Sequence, residues 1–206
     1  MVLNVANTVK WMTLVNEKIQ ENKEYLTELD QAIGDGDHGI NMARGFQEVE
    51  VKITATDYDN VSDLLKDVSM TLLSKVGGAA GPLYGTAFLK LSMEVKGSET
   101  LDFPKFKSGL QEALAGIKQR GKAEKNEKTL VDVWEPLVDY LNSQDSFNAA
   151  DFESAAKEAM EATKDLEATK GRAAYLRERS IGHLDPGSVS SFYIFSSLAE
   201  VLKEGD

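Results

Sequence analysis

Apolar residues recur every three or four positions along nearly the whole chain, a period that selects helices and leaves little room for strands. Val5, Val9, Met12, Val15, Ile19 and Leu26 trace one face of a long first helix ending near Asp30. A second helical stretch covers about 39–56, and a third starts at about 62, striped by Val61, Leu65, Val68, Leu72 and Val76 until Gly77 and Gly78 stop it. Pro82 suits the first turn of a fourth helix, where a missing amide proton costs no intrahelical bond, and that helix runs to about 96. Pro104 opens a fifth in the same way, with Gly121 as its stop. A sixth over about 129–142 should kink at Pro136, a seventh covers about 149–168, and an eighth about 188–202. The alternation over 49–54 is embedded in a helical pattern, so no sheet is expected.

Eight helices joined by loops of this length make each neighbour antiparallel, an all-α bundle or barrel in a single domain over residues 1–206. Loops after helices one, three, five and seven should then meet at one end. Those four loops, residues 30–39, 77–85, 121–129 and 171–187, also hold the unusual residues.

Composition narrows the chemistry. The absence of cysteine excludes disulfides, thiolate metal sites and cysteine nucleophiles. With 34 acidic against 23 basic side chains the formal charge is −11, so a bare nucleic-acid backbone meets net repulsion. No apolar run is long enough to span a bilayer, and the amino end lacks the pattern of a secretory signal, so a cytoplasmic protein is expected.

In the first loop Asp30, Asp35 and Asp37 stand within eight residues, with Gly34, Gly36 and Gly39 allowing sharp turns that converge them. Converging carboxylates repel unless a cation sits between them, and an all-oxygen donor set suits magnesium or calcium. Aspartates also cap helices and form turns, the bland reading for any one of the three taken alone. The second loop, Gly77-Gly78-Ala79-Ala80-Gly81-Pro82, has little side-chain bulk and leads into a helix, so its amides can approach a phosphate. It lacks a Walker ending. Lys128 with the neighbouring Thr129 hydroxyl, and Arg172 with Arg177 and Arg179, could offset phosphate charge. His38 and His183 fit metal ligands, phosphate contacts, proton carriers or structural histidines. Trp11 and Trp134, on helical stripes, belong to the core. No nucleophile elbow is present, and the chemistry that fits is phosphoryl transfer.

Four segments carry a resemblance. Asp-Gln-Ala-Ile-Gly-Asp-Gly-Asp-His-Gly from Asp30, Gly-Gly-Ala-Ala-Gly-Pro-Leu-Tyr-Gly from Gly77, Arg-Gly-Lys-Ala followed by Lys-Thr-Leu-Val-Asp, and Gly-Arg-Ala-Ala-Tyr-Leu through His-Leu-Asp-Pro-Gly occur in the order found in dihydroxyacetone kinase L subunits. The sequence closely resembles that family over almost its whole length. The resemblance implies an eight-helix antiparallel barrel with ADP and two Mg2+ ions at one end. Asp30, Asp35 and Asp37 would hold the metals, with His38, Gly39, Ile40, Asn41, Ala79 and Ala80 on the nucleotide. Gly121, Leu130, Arg172, Asp185, Pro186 and Gly187 would enclose it. Ala80 departs from the serine often found at its position, so a hydroxyl contact is lost there.

A chain holding only the L part points to the phosphotransferase-dependent form. There ADP is a retained coenzyme, phosphorylated by a phosphohistidine on an M subunit, and the ATP formed phosphorylates dihydroxyacetone on a K subunit. No residue of this chain is then covalently modified, transfer being metal-assisted through Asp30, Asp35 and Asp37. The resemblance leaves room for a homodimer, for an ATP-dependent kinase using free ATP, and for a nucleotide-responsive regulatory module.

Overall fold

The structure is a computed structural model that describes residues 1–204, so the last two residues of the expected domain lie outside the described residues. Nine α-helices are described: α1 (Val5–Glu21), α2 (Lys23–Ile33), α3 (His38–Thr54), α4 (Val61–Lys75), α5 (Ala80–Glu94), α6 (Phe103–Gly121), α7 (Val131–Asn142), α8 (Ala149–Ala162) and α9 (Pro186–Glu204). The ninth arises because the expected first helix breaks at Asn22. Its side chain takes the Lys18 carbonyl at 2.8 Å, and its backbone (φ −106°, ψ 14°) leaves the helical range for one residue. Both α1 and α2 pack between α3 and α9, so together they form one rod. Eight rods therefore remain, each packed on its neighbours in sequence, and α9 closes the ring against α1.

The apolar stripes face inward as their period requires. Trp11, Met12, Val15 and Ile19 of α1 and Leu64, Leu65, Val68 and Leu72 of α4 are buried. Phe106, Phe152, Phe195 and Trp134 fill the middle, with the Trp134 and Phe195 rings edge to face at 4.8 Å. Trp11 and Trp134 are core residues as expected, and each indole N–H has a partner, the Ile194 carbonyl and the Ser191 hydroxyl. No helix among the described residues is long and apolar enough to cross a membrane.

The structure departs from the sequence reading in further places, among them a strand pair and two helix ends. The chain does contain a strand pair, β1 (Val2–Leu3) against β2 (Leu101–Asp102), antiparallel, at the ends where α1 and α6 begin. Two residues are too few to leave an alternating pattern. The seventh rod stops at Ala162 rather than near 168, tightening into a 3₁₀ turn over Thr163–Asp165. The last helix begins at Pro186, two residues early, because the Asp185 carboxylate accepts the Ser188 amide at 2.7 Å and caps it.

Candidate nucleotide and metal site

Antiparallel order puts the starts of α3, α5, α7 and α9 at one end of the ring, together with the loops before them. Helices that begin at the other end, α1, α4, α6 and α8, are each capped by their own Asn4, Asn60, Asp102 or Asn148 side chain. The cap residues of α3, α5 and α7, Asp37, Ala79 and Leu130, make no such bond. Amides and positive dipole ends are thus gathered on one side with fewer side chains competing for them. That end holds a cleft of two adjoining cavities, about 620 Å³ and about 460 Å³.

The larger cavity is the more polar of the two. Asp30, Asp35 and Asp37 line it, and one carboxylate oxygen from each falls within 4.8 Å of the others. Asp30 is buried at the end of α2, and its Oδ2 accepts the amides of Asp37 at 2.8 Å and His38 at 3.0 Å, which fixes the turn into α3. Asp35 and Asp37 are exposed. Gly34 is needed here because a Cβ would lie 2.0 Å from Asp30 Oδ1, and Gly36 turns at φ +77°. Three carboxylate oxygens this close suit a hard divalent ion such as Mg2+, and the exposure of Asp35 and Asp37 leaves sides open for phosphate and water.

The wall opposite is the Gly77–Ala80 turn. Gly78 (φ +65°) faces open space, with Asp37 Oδ1 3.9 Å from where its Cβ would sit, a cradle that a side chain would fill. Gly81 packs so tightly that a Cβ would approach the Val76 carbonyl to 2.2 Å, which holds the start of α5 in place. Ala79 and Ala80 line both cavities. The smaller cavity is more apolar, walled by Leu83, Ile117, Ala123, Leu130 and Val131, with Gly121 and Gly187 at its edges. Flat aromatic ligands suit such a slot.

His38, at the start of α3, is held by the Ser190 hydroxyl at 3.0 Å and by the Pro186 backbone. Burial lowers its imidazole to about 4, against the raising effect of Asp30 and Asp37, so the ring is neutral at pH 7. Ser190 in turn meets the Tyr84 hydroxyl at 2.7 Å, and Tyr84 meets Ser191, which accepts the Trp134 indole N–H. This buried chain runs from the cleft into the core. Asp185 lines both cavities and is buried, and burial pushes its carboxyl up to about 7 despite the Ser188 hydrogen bonds.

Of the residues expected around a nucleotide, Asn41 and Arg172 line the larger cavity, Gly121, Leu130 and Gly187 the smaller, and His38, Ala79, Ala80, Asp185 and Pro186 both. Gly39 and Ile40 do not line either. Gly39 is a packing residue, since a Cβ would strike the Lys23 carbonyl at 2.1 Å, and Ile40 points outward at 49% exposure. Arg177, Arg179 and His183 are exposed and outside the lining, because the 3₁₀ segment Arg172–Ser180 presents only its start to the cleft. Lys128 lines the cavity, yet its ammonium donates to the Thr163 and Leu166 carbonyls and is turned away from the role of phosphate cation. Sequence reasoning overlooked Lys170, which lines both cavities, Arg120, which lines the smaller, and the Tyr84–Ser190 pair. Arg120 stands beside Gly121 in a motif already noted, the one signal available for it.

The DAK2 domain model matches residues 32–200, which include nearly all of this end of the ring. The chain belongs to the DAK2 domain family. Among its relatives, the ADP-binding subunit of PEP-dependent dihydroxyacetone kinase 1 of Listeria innocua is 49% identical over 93% of this chain and 94% of its own length. The ADP-binding subunit of the PTS-dependent dihydroxyacetone kinase of Lactococcus lactis is 49% identical, covering 98% of this chain and all of the relative. The corresponding Escherichia coli subunit is 40% identical over 99% of the chain. A solved dihydroxyacetone kinase of C. freundii, in complex with AMP-PNP and Mg2+, has a similar fold over 93% of this chain, with a TM-score of 0.75 at 22% identity. The present chain covers 33% of that longer protein.

Proposed function

We propose that the chain is the ADP-binding subunit of a phosphoenolpyruvate-dependent dihydroxyacetone kinase, acting in the cytoplasm as one nucleotide-binding unit. The observation that carries this reading is the adjacency of three converging carboxylates, a bulk-free helix start and an apolar slot within one cleft. Relatives named as ADP-binding subunits, matched over nearly their full length, support it.

The adenine would lie in the smaller cavity between Leu83, Ile117 and Leu130, and the diphosphate against the amides that open α5 at Ala79 and Ala80. Asp30, Asp35 and Asp37 would hold Mg2+, two ions by the family resemblance, and Asn41 and Arg172 would border the phosphates. Bound Mg2+ supplies charge compensation to the phosphate oxygens. Asp30 keeps the first loop in its turn, Gly78 leaves room for a terminal phosphate, and the neutral His38 holds the floor without offering a competing cation. The protein thereby orients the terminal phosphate for in-line transfer, with no covalent protein intermediate on this chain. A phosphohistidine on an M subunit would donate to ADP, and the ATP formed would phosphorylate dihydroxyacetone on a K subunit.

The test is to denature protein purified without added nucleotide and identify what is released, then to follow nucleotide and sugar phosphate with phosphorylated M subunit, K subunit and dihydroxyacetone. Retained ADP that cycles through ATP, with dihydroxyacetone phosphate formed only when M is phosphorylated, is expected. Turnover with free ATP and no M subunit would reassign the chain to an ATP-dependent kinase, and absence of both nucleotide and transfer would exclude either.

A further inference from the structure

We infer that Lys128 is a positioning residue that latches the strap over residues 163–185 across the nucleotide cleft, by capping the far end of α8 from a neighbouring loop. The inference rests on the proposed nucleotide reading for its consequence but not for its geometry.

Lys128 is 1% exposed, an unusual place for a lysine. Its Nζ donates to the carbonyls of Thr163 at 2.8 Å and Leu166 at 3.0 Å. Both acceptors lie just beyond Ala162, at the negative end of the α8 dipole, and the Thr163 carbonyl takes the ammonium in addition to the Leu166 amide at 3.3 Å. A cation is the natural cap there. Burial lowers the lysine from its ordinary value, while Asp185, Asp165 and Asp132 favour the charged form.

The backbone beneath this side chain is held for the purpose. Lys128 has φ +60°, a conformation that residues other than glycine and asparagine seldom adopt, and Asn126 has φ +70°. Asp132, in the first turn of α7, compensates by accepting the amides of Asn126, Lys128 and Thr129. The same loop grips the strap a second time, through the Thr169 amide on the Glu127 carbonyl at 3.3 Å. Within the strap, the Thr163 hydroxyl accepts the Asp185 amide, and the Gly182 amide reaches the Lys164 carbonyl at 2.8 Å. One buried ammonium thus connects the 122–130 loop to the segment that carries Arg172 and Asp185 into the cleft.

The experiment uses the full chain with Lys128→Met, which keeps the stem and removes the ammonium, and Lys128→Gln, which keeps a neutral donor. Amide hydrogen exchange without nucleotide should speed up over 163–185 by about tenfold or more in Lys128→Met and by less in Lys128→Gln, with α4, α5 and α6 unchanged. ADP release in the presence of Mg2+ should accelerate in the same order, while Mg2+ binding to the three aspartates in the absence of nucleotide is equal or tighter, since the strap also carries Arg172 onto Asp35. Unchanged exchange over the strap, or a uniform loss of protection that includes α4 to α6 in either variant, overturns the latch. If the wild-type chain binds no ADP, the nucleotide reading fails, and the exchange measurement still decides the latch.

Discussion

Arg172 Nε stands 2.9 Å from Asp35 Oδ2, joining the strap after α8 to the acidic turn after α2 across the mouth of the cleft. Both side chains are open to solvent, at 69% and 37% exposure, so the pair contributes little to folding, under about 1 kcal/mol. Its interest is positional, since it engages a proposed metal ligand with a proposed phosphate contact. Arg172→Ala should leave the melting temperature within about 2 °C of wild type, weaken ADP binding by about tenfold, and leave Mg2+ binding alone equal or tighter. Calorimetric titrations with Mg2+ and with Mg2+ plus ADP measure each, and tighter ADP binding would refute the role.

Asp35 is the carboxylate whose removal separates binding from stability most cleanly, because it is exposed and makes none of the backbone bonds that Asp30 makes. Asp35→Asn should change unfolding free energy by less than about 0.5 kcal/mol while reducing Mg2+-dependent ADP affinity at least about tenfold. A chemical denaturation curve and a titration with ADP at fixed Mg2+ report the two numbers. Retention of ADP equal to wild type would remove Asp35 from the ligand set.

Gly81→Ala tests whether the start of α5 depends on close approach. The added methyl carbon would lie 2.2 Å from the Val76 carbonyl and 3.2 Å from the Leu72 carbonyl, both backbone atoms at the end of α4. Overpacking against atoms that cannot move aside should cost on the order of 1 to 3 kcal/mol, and the displaced Ala79–Ala80 amides should lower ADP affinity as well. Thermal melts with and without ADP resolve this, and a variant as stable as wild type would contradict the packing.

Asp185 should give the stability a pH dependence. Its carboxyl is raised from 3.8 to about 7, chiefly by burial, with Asp132 adding to the rise and Lys128 opposing it. Between pH 4 and pH 7 the folded chain therefore keeps a proton that the unfolded chain has released, and this group's contribution falls as pH rises across that window. The stability difference between Asp185→Asn and wild type should accordingly move in favour of the variant from pH 4 to pH 7 and level off above it. Denaturation curves at several pH values that run parallel throughout would show that the carboxyl is not so shifted.

Tyr84→Phe removes the hydroxyl shared by Gly187, Ser190 and Ser191 and leaves those groups short of a partner in a dry place. The expected loss is about 1 to 3 kcal/mol with the helical content unchanged. Since Ser190 also holds His38, faster hydrogen exchange should appear at the start of α3 as well as around 185–191. Exchange unaltered at α3 would mean that the chain of hydroxyls does not connect the two.

The helical rods and the end at which the site forms were legible in the sequence because both follow from local pattern. Stripes such as Leu65, Val68 and Leu72 need a common buried face, and short antiparallel connections return alternate loops to one side. The crowding of Asp30, Asp35 and Asp37 among glycines was visible for the same reason, being confined to one loop. What each polar side chain would meet was not. Lys128 read as a phosphate cation until α8 ended early and placed the Thr163 and Leu166 carbonyls within reach of its ammonium. Ile40 and Arg177 fell outward, and Gly39 turned from a loop residue into a packing contact, because helix rotation and strap path are decided by neighbours distant in sequence. Residue types and spacing thus determined the fold class and the candidate chemistry, while direction, burial and hydrogen-bond partners came only with the closed ring, where desolvation and competition for donors assign each group its place.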